Sequence, residues 1–338
     1  MVYDCFTFFN ELDLLEVRLN ILNAVVDRFV IAEATRTHRG KPKELLFRKN
    51  AARFSAFSDK ITYVVVDDLL PEEEVERDVF NLPWVNENRQ RNALARGLVD
   101  IQPEDVVMVS DLDEIPRPES VRAARHLLED GRAQSVRFAM SFYNFYLNFR
   151  NFSCAKWMLG TCAIRFGSLG DAAFFRGVPI DRYTQAAENQ GATLQKVRFL
   201  RADATLPQAG WHFSYLGGLA AIQSKLAAFS HSEFSGLPLD VLAARLKEGR
   251  DLFGRAGRSF GVALDGTFPR YIRENRMKLR DFLFPVDEDY LKRTRWPKRW
   301  ARIRGCLYAG VVRLVPHALV PGLVRMRDRL LSKAGRRG

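Results

Sequence analysis

The sequence predicts an α/β fold in which helices cover a mostly parallel β-sheet, and two observations support this prediction. Apolar runs rich in β-branched residues alternate with segments of helical periodicity along residues 1–130, as in proteins built from parallel strands and crossover helices. Three of these runs end in acidic residues, at Glu33, Asp67 and Asp111. Ligands of open α/β sheets bind beyond the carboxyl ends of the strands. The acids therefore predict a polar ligand site, although each could instead cap the following helix.

The acidic stretch after the fourth apolar run is the strongest candidate for chemistry. Residues 106–109 predict a buried strand, and Asp111, Asp113 and Glu114 follow it directly. Asp111 and Asp113 are two residues apart, so on an extended chain their carboxylates point to the same side. Such a pair suits a hard divalent cation, Mg2+ or Mn2+, that keeps positions open for substrate phosphates. A solvated turn is the alternative.

The remaining elements are predicted from periodicity. Strands are predicted at residues 2–9, 29–32, 61–66 and 106–109, and helices at 15–26, 86–99, 118–129 and 219–229. Asn86 is the expected N-cap of the second of these helices. Residues 136–149, Trp157 and residues 162–166 are rich in aromatic and apolar side chains and predict antiparallel strands. Their rings either form the core or stack on sugar faces.

The charge of the chain is concentrated at one end. The 338 residues carry a net charge of +12, but residues 292–338 alone carry +13, so the rest is close to −1. The body therefore lacks the basic surface typical of a nucleic-acid-binding protein. The four cysteines form no Cys-x-x-Cys pair, which argues against a zinc site or a disulfide framework and predicts reduced thiols in a cytosol. The first residues show no signal-peptide pattern.

The basic tail, residues 292–338, predicts binding to a membrane surface. Residues 305–324 are apolar, but Arg313, Pro316 and Pro321 interrupt them, so they are expected to lie on a bilayer rather than to cross it. Trp296 and Trp300, flanked by basic residues, suit an anionic membrane interface. We therefore expect a cytoplasmic protein, peripheral on the inner face of the cell membrane. A solvated basic helix that packs on the body is the alternative.

Two of the five histidines, His212 and His231, flank the predicted helix at residues 219–229, and Glu233 follows the second one. A neutral imidazole can join carboxylates on Mn2+, so either histidine could complete a metal site. Ordinary packed or surface histidines are the alternative.

An ordered set of motifs resembles a known family. The motifs lie at residues 3–11, 30–33, 40–42, 87–92, 110–116, 210–215 and 229–233. In sequence and order they resemble glycosyltransferase family 17 over roughly residues 1–285, a family whose eukaryotic members add a β-1,4-linked N-acetylglucosamine to N-glycans. The resemblance implies a GT-A fold with a Rossmann-like half, an inverting reaction, UDP-GlcNAc as the donor and Mn2+ or Mg2+ as the cofactor.

The resemblance also implies roles for individual residues. Asp111 and Asp113 would bind the metal and the diphosphate, with Asp113 acting in catalysis. Glu33 and Asp67 would lie near the nucleoside, and Arg91 near the donor phosphates. Residues 1–130 would form the nucleotide-sugar-binding half, residues 131–291 the acceptor and catalytic half, and residues 292–338 the basic tail. The acceptor would be a glycan or a lipid-linked oligosaccharide.

The general base of such a reaction has to lie beyond the sugar, on the side of the acceptor hydroxyl. It should therefore be neither Asp111 nor Asp113. Glu233 is the candidate that the sequence favours, with Asp181 and Asp203 in reserve.

Two other functions compete with this interpretation. A phosphatase of the haloacid dehalogenase type also has an apolar strand followed by Asp-x-Asp, but that motif normally lies near the N-terminus. The second competing function is that of a non-catalytic protein that binds membranes or nucleic acid through the basic tail. Binding of nucleic acid is disfavoured because the acidic residues of the body would repel its phosphates.

Overall fold

The computed structural model describes residues 1–152, 157, 160–170, 194–230, 237–252 and 258–314. Its strands are β1 Val2–Phe8, β2 Arg28–Ala34, β3 Ile61–Val66, β4 Val106–Asp111, β5 Glu114–Pro116, β6 Ser135–Asn144, β7 Phe149–Asn151, β8 Cys162–Arg165, β9 Ala204–Ser214 and β10 Ser259–Gly261. Its α-helices are α1 Leu12–Leu22, α2 Leu46–Lys49, α3 Glu72–Val75, α4 Leu82–Asn92, α5 Pro118–Glu129, α6 Leu194–Phe199, α7 Gly218–Ala228, α8 Leu239–Glu248, α9 Arg270–Glu274 and α10 Glu288–Leu314.

The strands form one sheet with a parallel and an antiparallel part. Along the sheet the order is β10-β7-β6-β8-β4-β1-β2-β3. The four strands β3, β2, β1 and β4 are mutually parallel, whereas β8 runs antiparallel to β4 and to β6. β9 pairs in parallel with β6 and antiparallel with β5. The predicted fold class, an α/β sheet with an antiparallel extension, is confirmed.

The parallel part brings the ends of the first strands to one edge. Thr7 of β1 lies opposite Asp111 of β4, and Phe8 lies opposite Glu33 of β2. Both faces of these strands are buried under helices and apolar clusters, which explains why their sequences are continuous apolar runs rather than alternating ones. The acidic strand end is therefore fixed by the core of the molecule.

Helix α4 differs from the prediction at both ends, and α1 spans Leu12–Leu22 rather than residues 15–26. Helix α4 begins at Leu82, with Pro83 in its first turn, and ends at Asn92, whereas residues 86–99 were expected. Asn86 is therefore not a cap. It lies inside the helix, accepts a hydrogen bond from the backbone N–H of Leu70 and donates to the carbonyls of Leu70 and His38. The side chain is buried and ties two loops to α4.

A short strand pair was not predicted from periodicity. Residues Glu114–Pro116 form β5, which pairs with Gly210, Trp211 and His212 of β9. Gly210 is needed for this pairing, because a Cβ at this position would lie 2.4 Å from the carbonyl oxygen of Ile115. The pairing carries His212 to the acidic turn, residues 111–114.

Cys5 and Cys162 are buried free thiols, as expected for reduced cysteines. Of the basic tail, residues 292–314 are described, and they all lie in α10. In the part of the chain that the structure describes, no helix has both the length and the apolar composition needed to span a membrane.

Candidate functional site

A cavity of about 340 Å3 opens at the carboxyl edge of the parallel strands, a size within the range of small-molecule sites. Its walls come from the ends of β1, β2 and β4, from α4 and α7, and from the carboxyl ends of β6 and β9. Acidic and basic side chains meet on these walls; they are Glu11, Arg36, His38, Lys43, Glu87, Arg91, Asp111, Asp113, Arg198, His212, Lys225 and Asp251. The position agrees with the rule that α/β sheets bind ligands at this edge.

The acidic turn is held from behind by Arg18 of α1, which is fully buried. Its Nε and Nη2 donate to the two carboxylate oxygens of Asp4 at 2.8 and 2.6 Å. Its Nη1 donates to the carbonyls of Asp111, Leu112 and Glu114 at 2.9–3.0 Å. We call this arrangement the Arg18 clamp; it fixes the backbone of the turn through a planar, fork-shaped group that lysine could not replace.

The carboxylate of Asp111 faces two arginines on the cavity wall. Arg91 Nη1 lies 2.8 Å from Oδ1, and Arg198 Nη2 lies 2.6 Å from Oδ2. Burial alone would raise the pKa of Asp111, but Arg198 and Arg91 outweigh it and lower that pKa to about 2. Asp111 is therefore ionised, and each of the two arginines is also paired with a second carboxylate, Arg91 with Glu87 and Arg198 with Glu114.

Asp113 is paired with Lys225 of α7 and His212 of β9. Lys225 Nζ lies 3.0 Å from Oδ2 of Asp113 and 3.2 Å from Oε1 of Glu11, while His212 Nε2 lies 3.4 Å from Oδ1 of Asp113. Burial would raise the pKa of Asp113, but Lys225 and His212 hold it far below its usual range. Burial likewise opposes the charge of Lys225, whose pKa is nevertheless raised, chiefly by Asp113 and Glu11. We call Asp111, Asp113, Arg91, Arg198 and Lys225 the cavity cluster.

The third acid of the turn has a structural role. Glu114 is fully buried, and both its oxygens accept hydrogen bonds from Arg198, at 2.8 and 3.0 Å. Trp157 Nε1 donates to Oε1 at 2.7 Å, and the backbone N–H of Asp111 donates to Oε2. Glu114 therefore orients Arg198 toward Asp111.

Of the residues expected to hold a metal ion, Asp111, Asp113 and His212 are described, and each of the two aspartates faces basic side chains. Among the residues that the structure describes, no three His, Cys, Asp or Glu side chains converge as ligands. The Nδ1 of His212 is buried without a hydrogen-bond partner in the described structure. Mn2+ or Mg2+ at Asp111, Asp113 and His212 stays a prediction.

Aromatic rings line the cavity beside His212. The imidazole lies 4.8 Å from the ring of Phe142 and 4.4 Å from that of Trp157, measured between centroids, and the two larger rings stack at 5.5 Å. All three side chains face the cavity. Part of the predicted aromatic cluster thus lines the site, while Tyr143 and Phe213 pack in the core.

Glu33 and Asp67 lie elsewhere than expected for nucleoside contacts. Glu33 is fully buried and accepts hydrogen bonds from Lys43, Tyr63 and the backbone N–H groups of Leu46 and Phe47. It thereby anchors α2 and holds Lys43, which does line the cavity. Asp67 is exposed at the end of the edge strand β3 and is not among the lining residues. The geometry does not meet the expectation for either residue.

A second polar network closes the cavity between α4 and the loop after β2. The Nε2 of His38 lies 2.8 Å from Oε1 of Gln90, and its Nδ1 lies 2.9 Å from Oγ of Ser230. Ser230 in turn donates to Oε2 of Glu87 at 2.7 Å. Burial lowers the pKa of His38 although Glu87 opposes the shift, while Arg91 and His38 keep the pKa of Glu87 low against burial.

Three of the predicted residues lie outside the described residues: Glu233 and Asp181 as candidate bases, and His231 as a candidate metal ligand. The remaining reserve base, Asp203, is wrong. It precedes β9 and accepts hydrogen bonds from the backbone N–H groups of Gln134 and Ser135, at the start of β6. This is the opposite end of the sheet from the cavity.

The sequence-based prediction missed Arg18, Lys225 and Arg198, which belong to the strongest contacts of the site. Arg18 carried a signal, because it lies on the buried stripe of α1 beside Leu15 and Leu19. Asp4, inside a buried strand, carried the complementary one. Lys225 and Arg198 carried no such local signal, because more than 80 residues separate them from the acids they contact.

Comparison with known proteins agrees with the sequence motifs in the N-terminal part. Residues 1–158 match glycosyltransferase family 17. The resemblance to this family is thus confirmed over that range, which includes Arg91, Asp111 and Asp113, while the motifs at residues 210–215 and 229–233 lie beyond it.

The curated relatives carry one name. Over 145 residues the chain is 32% identical to the human and rat proteins called beta-1,4-mannosyl-glycoprotein 4-beta-N-acetylglucosaminyltransferase, and 31% identical to the mouse protein of that name. The alignments cover 40% of this chain and 26% of each relative. The chain thus matches about a quarter of their length.

Solved structures show a weaker likeness. The S. aureus TarS fragment 1-349 in complex with UDP-GlcNAc has 11% sequence identity and a TM-score of 0.38, over 73% of this chain and 71% of that one. The same fragment in complex with UDP has a TM-score of 0.36.

Proposed function

We propose that the protein is a glycosyltransferase that moves N-acetylglucosamine, or a related sugar, from a UDP-sugar to a hydroxyl of a glycan, with inversion at the anomeric carbon. The match of residues 1–158 to glycosyltransferase family 17 and the name of the curated relatives support the reaction class. A β-1,4 linkage and a lipid-linked or protein-linked acceptor belong to the same proposal.

The observation that carries this proposal is the cavity cluster at the carboxyl edge of the parallel strands. Arg91, Arg198 and Lys225 converge on Asp111 and Asp113. Their N–H groups are donors of the kind that bind a diphosphate. The three cations are also paired with Glu87, Glu114 and Glu11, so a nucleoside diphosphate would bind by taking over donors from carboxylates rather than by meeting an excess of positive charge. The phosphatase alternative is disfavoured, because its nucleophilic aspartate has to be free, whereas Asp111 lies between two arginines.

In the proposed mechanism the cluster stabilises the leaving diphosphate. Charge on the leaving group grows as the bond to the sugar breaks, so donors that are already in place lower the barrier. Arg198 is suited to this role because Glu114 holds its guanidinium from behind. A bound Mn2+ or Mg2+ would supply further neutralisation, but in the described arrangement the carboxylates face basic side chains instead.

The base that removes the acceptor proton is proposed to be Glu233. Two described acids on the cavity wall, Glu11 and Asp251, are the alternatives that replace Asp203. Glu233→Gln, Glu11→Gln and Asp251→Asn should be compared for turnover and for UDP binding. The base is the position whose variant binds UDP normally and loses about 10²–10⁴-fold in rate.

The decisive experiment is an assay of UDP release over a panel of UDP-sugars with an oligosaccharide acceptor, in Mn2+, in Mg2+ and in EDTA. We expect release from UDP-GlcNAc that depends on the acceptor. Loss of turnover in EDTA, restored by Mn2+, would support the metal. Release of phosphate from simple phosphoesters, without use of any UDP-sugar, would contradict the proposal.

The site of action is proposed to be the cytoplasmic face of a membrane, where lipid-linked glycans are available as acceptors. The basic composition of residues 292–338 supports this location.

A further inference from the structure

The last described helix, α10, is fixed on the body by one of its faces. The hydroxyl oxygen of Tyr290 accepts a hydrogen bond from the backbone N–H of Gly261 in β10 at 3.0 Å, and its ring lies 5.3 Å from that of Phe284. Thr294, one turn further on, is buried, and Lys298 is half-buried over the rings of Tyr290 and Phe152. These contacts fix which side of the helix points away from the protein.

The opposite side of α10 carries large apolar side chains. Trp296 is 63% exposed, Trp300 61% and Ile303 41%. Their spacing of four and three residues places them on one stripe of the helix, about half a turn away from Thr294. Tryptophan is usually well buried. Two exposed tryptophans on one stripe therefore indicate a surface that a membrane or another molecule covers.

Basic side chains lie on both sides of this apolar stripe. Lys292, Arg293, Arg295, Arg299 and Arg302 are all exposed. The acids of α10 are Glu288 and Asp289 in its first turn, where both lie within 4.0 Å of Lys292. The helix is thus an apolar stripe with basic borders, on a protein whose residues 1–291 are close to neutral in sum.

We propose that Trp296, Trp300 and Ile303 form a docking surface for the interface of an anionic lipid bilayer. Indole rings are stable at the level of the headgroups, and the arginines beside them would meet lipid phosphates. A helix with this division of charge and apolar area lies in the plane of the interface. A second copy of the chain would bring like charges together, and nucleic acid would leave the apolar stripe without a function.

This proposal goes beyond the transferase proposal and is tested without it. The full chain is mixed with vesicles of phosphatidylcholine that contain phosphatidylserine, or with vesicles of phosphatidylcholine alone, and the pelleted fraction is measured at low salt. Wild type should pellet with the anionic vesicles. The double variant Trp296→Ala/Trp300→Ala should bind about tenfold more weakly, since it removes the apolar anchors and leaves the charge intact.

Of two further variants, one tests the contribution of the positive charge and the other is a control for the loss of an exposed aromatic ring. Arg295→Gln/Arg299→Gln/Arg302→Gln should lose the preference for anionic vesicles. Phe80→Ala removes another exposed aromatic ring, 65% exposed and distant in sequence from α10, and should pellet like wild type.

Equal pelleting of wild type and of the tryptophan variant would overturn the proposal, as would the absence of wild-type binding. Binding to RNA that depends on the arginines and not on the tryptophans, without binding to vesicles, would assign the surface to nucleic acid instead. None of these outcomes depends on sugar transfer, so a failure here leaves the transferase proposal intact.

Discussion

Two charged networks meet at the acidic turn, and they differ in what they hold. Behind the turn, the Arg18 clamp is fully buried and binds backbone carbonyls and Asp4. In front of it, the cavity cluster binds the side chains of Asp111 and Asp113 and faces the cavity. The backbone of the motif thus belongs to the core, while its carboxylates belong to the site. Substitutions in the Arg18 clamp should therefore lower the stability of the fold, whereas substitutions in the cavity cluster should weaken ligand binding and turnover.

The largest effect is expected from Arg18→Met. The variant leaves Asp4 charged and buried without its partner, a change that costs about 3–5 kcal/mol in other proteins, and it frees three carbonyls of the turn. Urea unfolding should show a loss of this size. Arg270→Met, which removes an exposed ion pair with Glu274, is the control and should change the free energy of unfolding by less than about 1 kcal/mol. A similar loss in both variants would contradict the distinction.

The next effect concerns Asp113→Asn, which keeps the shape of the side chain and removes its charge. Lys225 would lose the partner that positions it, and we expect turnover to fall about 10²-fold or more, as for other misplaced catalytic groups. The fold should persist because the Arg18 clamp binds backbone atoms. UDP release and the urea midpoint are measured on the same preparation. If turnover were unchanged and the urea midpoint were lowered, Asp113 would contribute to stability rather than to turnover, and the proposed distinction between the two networks would be wrong.

A smaller effect is expected from Lys225→Met on donor binding. A hydrogen bond to a charged group contributes about 1.5–3 kcal/mol, so the affinity for UDP should fall about tenfold or more. Titration calorimetry with UDP measures it, and Lys247→Met, an exposed lysine on α8, is the matched control. If both variants bind UDP like wild type, Lys225 does not contact the diphosphate.

The smallest effect is a pH dependence on the rear side of the molecule, where Glu16 of α1 contacts Arg53, Tyr271 and Lys278. Burial would raise the pKa of Glu16, but hydrogen bonds from Lys278, Tyr271 and Arg53 lower it from 4.5 to about 2. The stabilisation by its charge is therefore complete above about pH 4.5 and is lost as the pH falls toward about 2.

Glu16→Gln should consequently melt a few degrees below wild type at neutral pH, and the difference should shrink in acid. Glu119→Gln, at a mostly exposed position, should show no such trend. A difference in melting temperature that grows on acidification would rule out this assignment.

The sequence allowed the location of the site to be predicted, but not its internal contacts. The run at residues 106–109 and the two acids after it were sufficient to predict a buried strand ending at a ligand site, because strand periodicity and topology are local rules. Glu33 could not be placed in the same way. β2 is buried on both faces, so the sequence pattern does not tell on which face of the sheet the side chain of Glu33 lies. In the structure this side chain anchors α2.

Charges that come from distant parts of the chain were beyond a local pattern. Arg198 and Lys225 reach the acidic turn only because β9 pairs with β5 and because α6 and α7 pack beside it. A three-residue strand such as β5 is too short for its periodicity to be recognised. Pairing partners of this kind follow from tertiary packing, which a single sequence does not show.

The network of His38 leads to a simple count of hydrogen atoms. Gln90 directs its amide N–H groups at the carbonyls of Phe8 and Ala32, so its oxygen has to accept from the Nε2 of His38. Ser230 has one hydroxyl hydrogen, which it donates to Glu87. The contact between Ser230 and Nδ1 is then a hydrogen bond only if Nδ1 also carries a hydrogen. Burial lowers the pKa of His38 and so favours the neutral imidazole, with its hydrogen on Nε2. The wall therefore has one hydrogen fewer than it has polar contacts, and Ser230 joins the end of α7 to α4 through Glu87 while its contact with Nδ1 is made without a hydrogen.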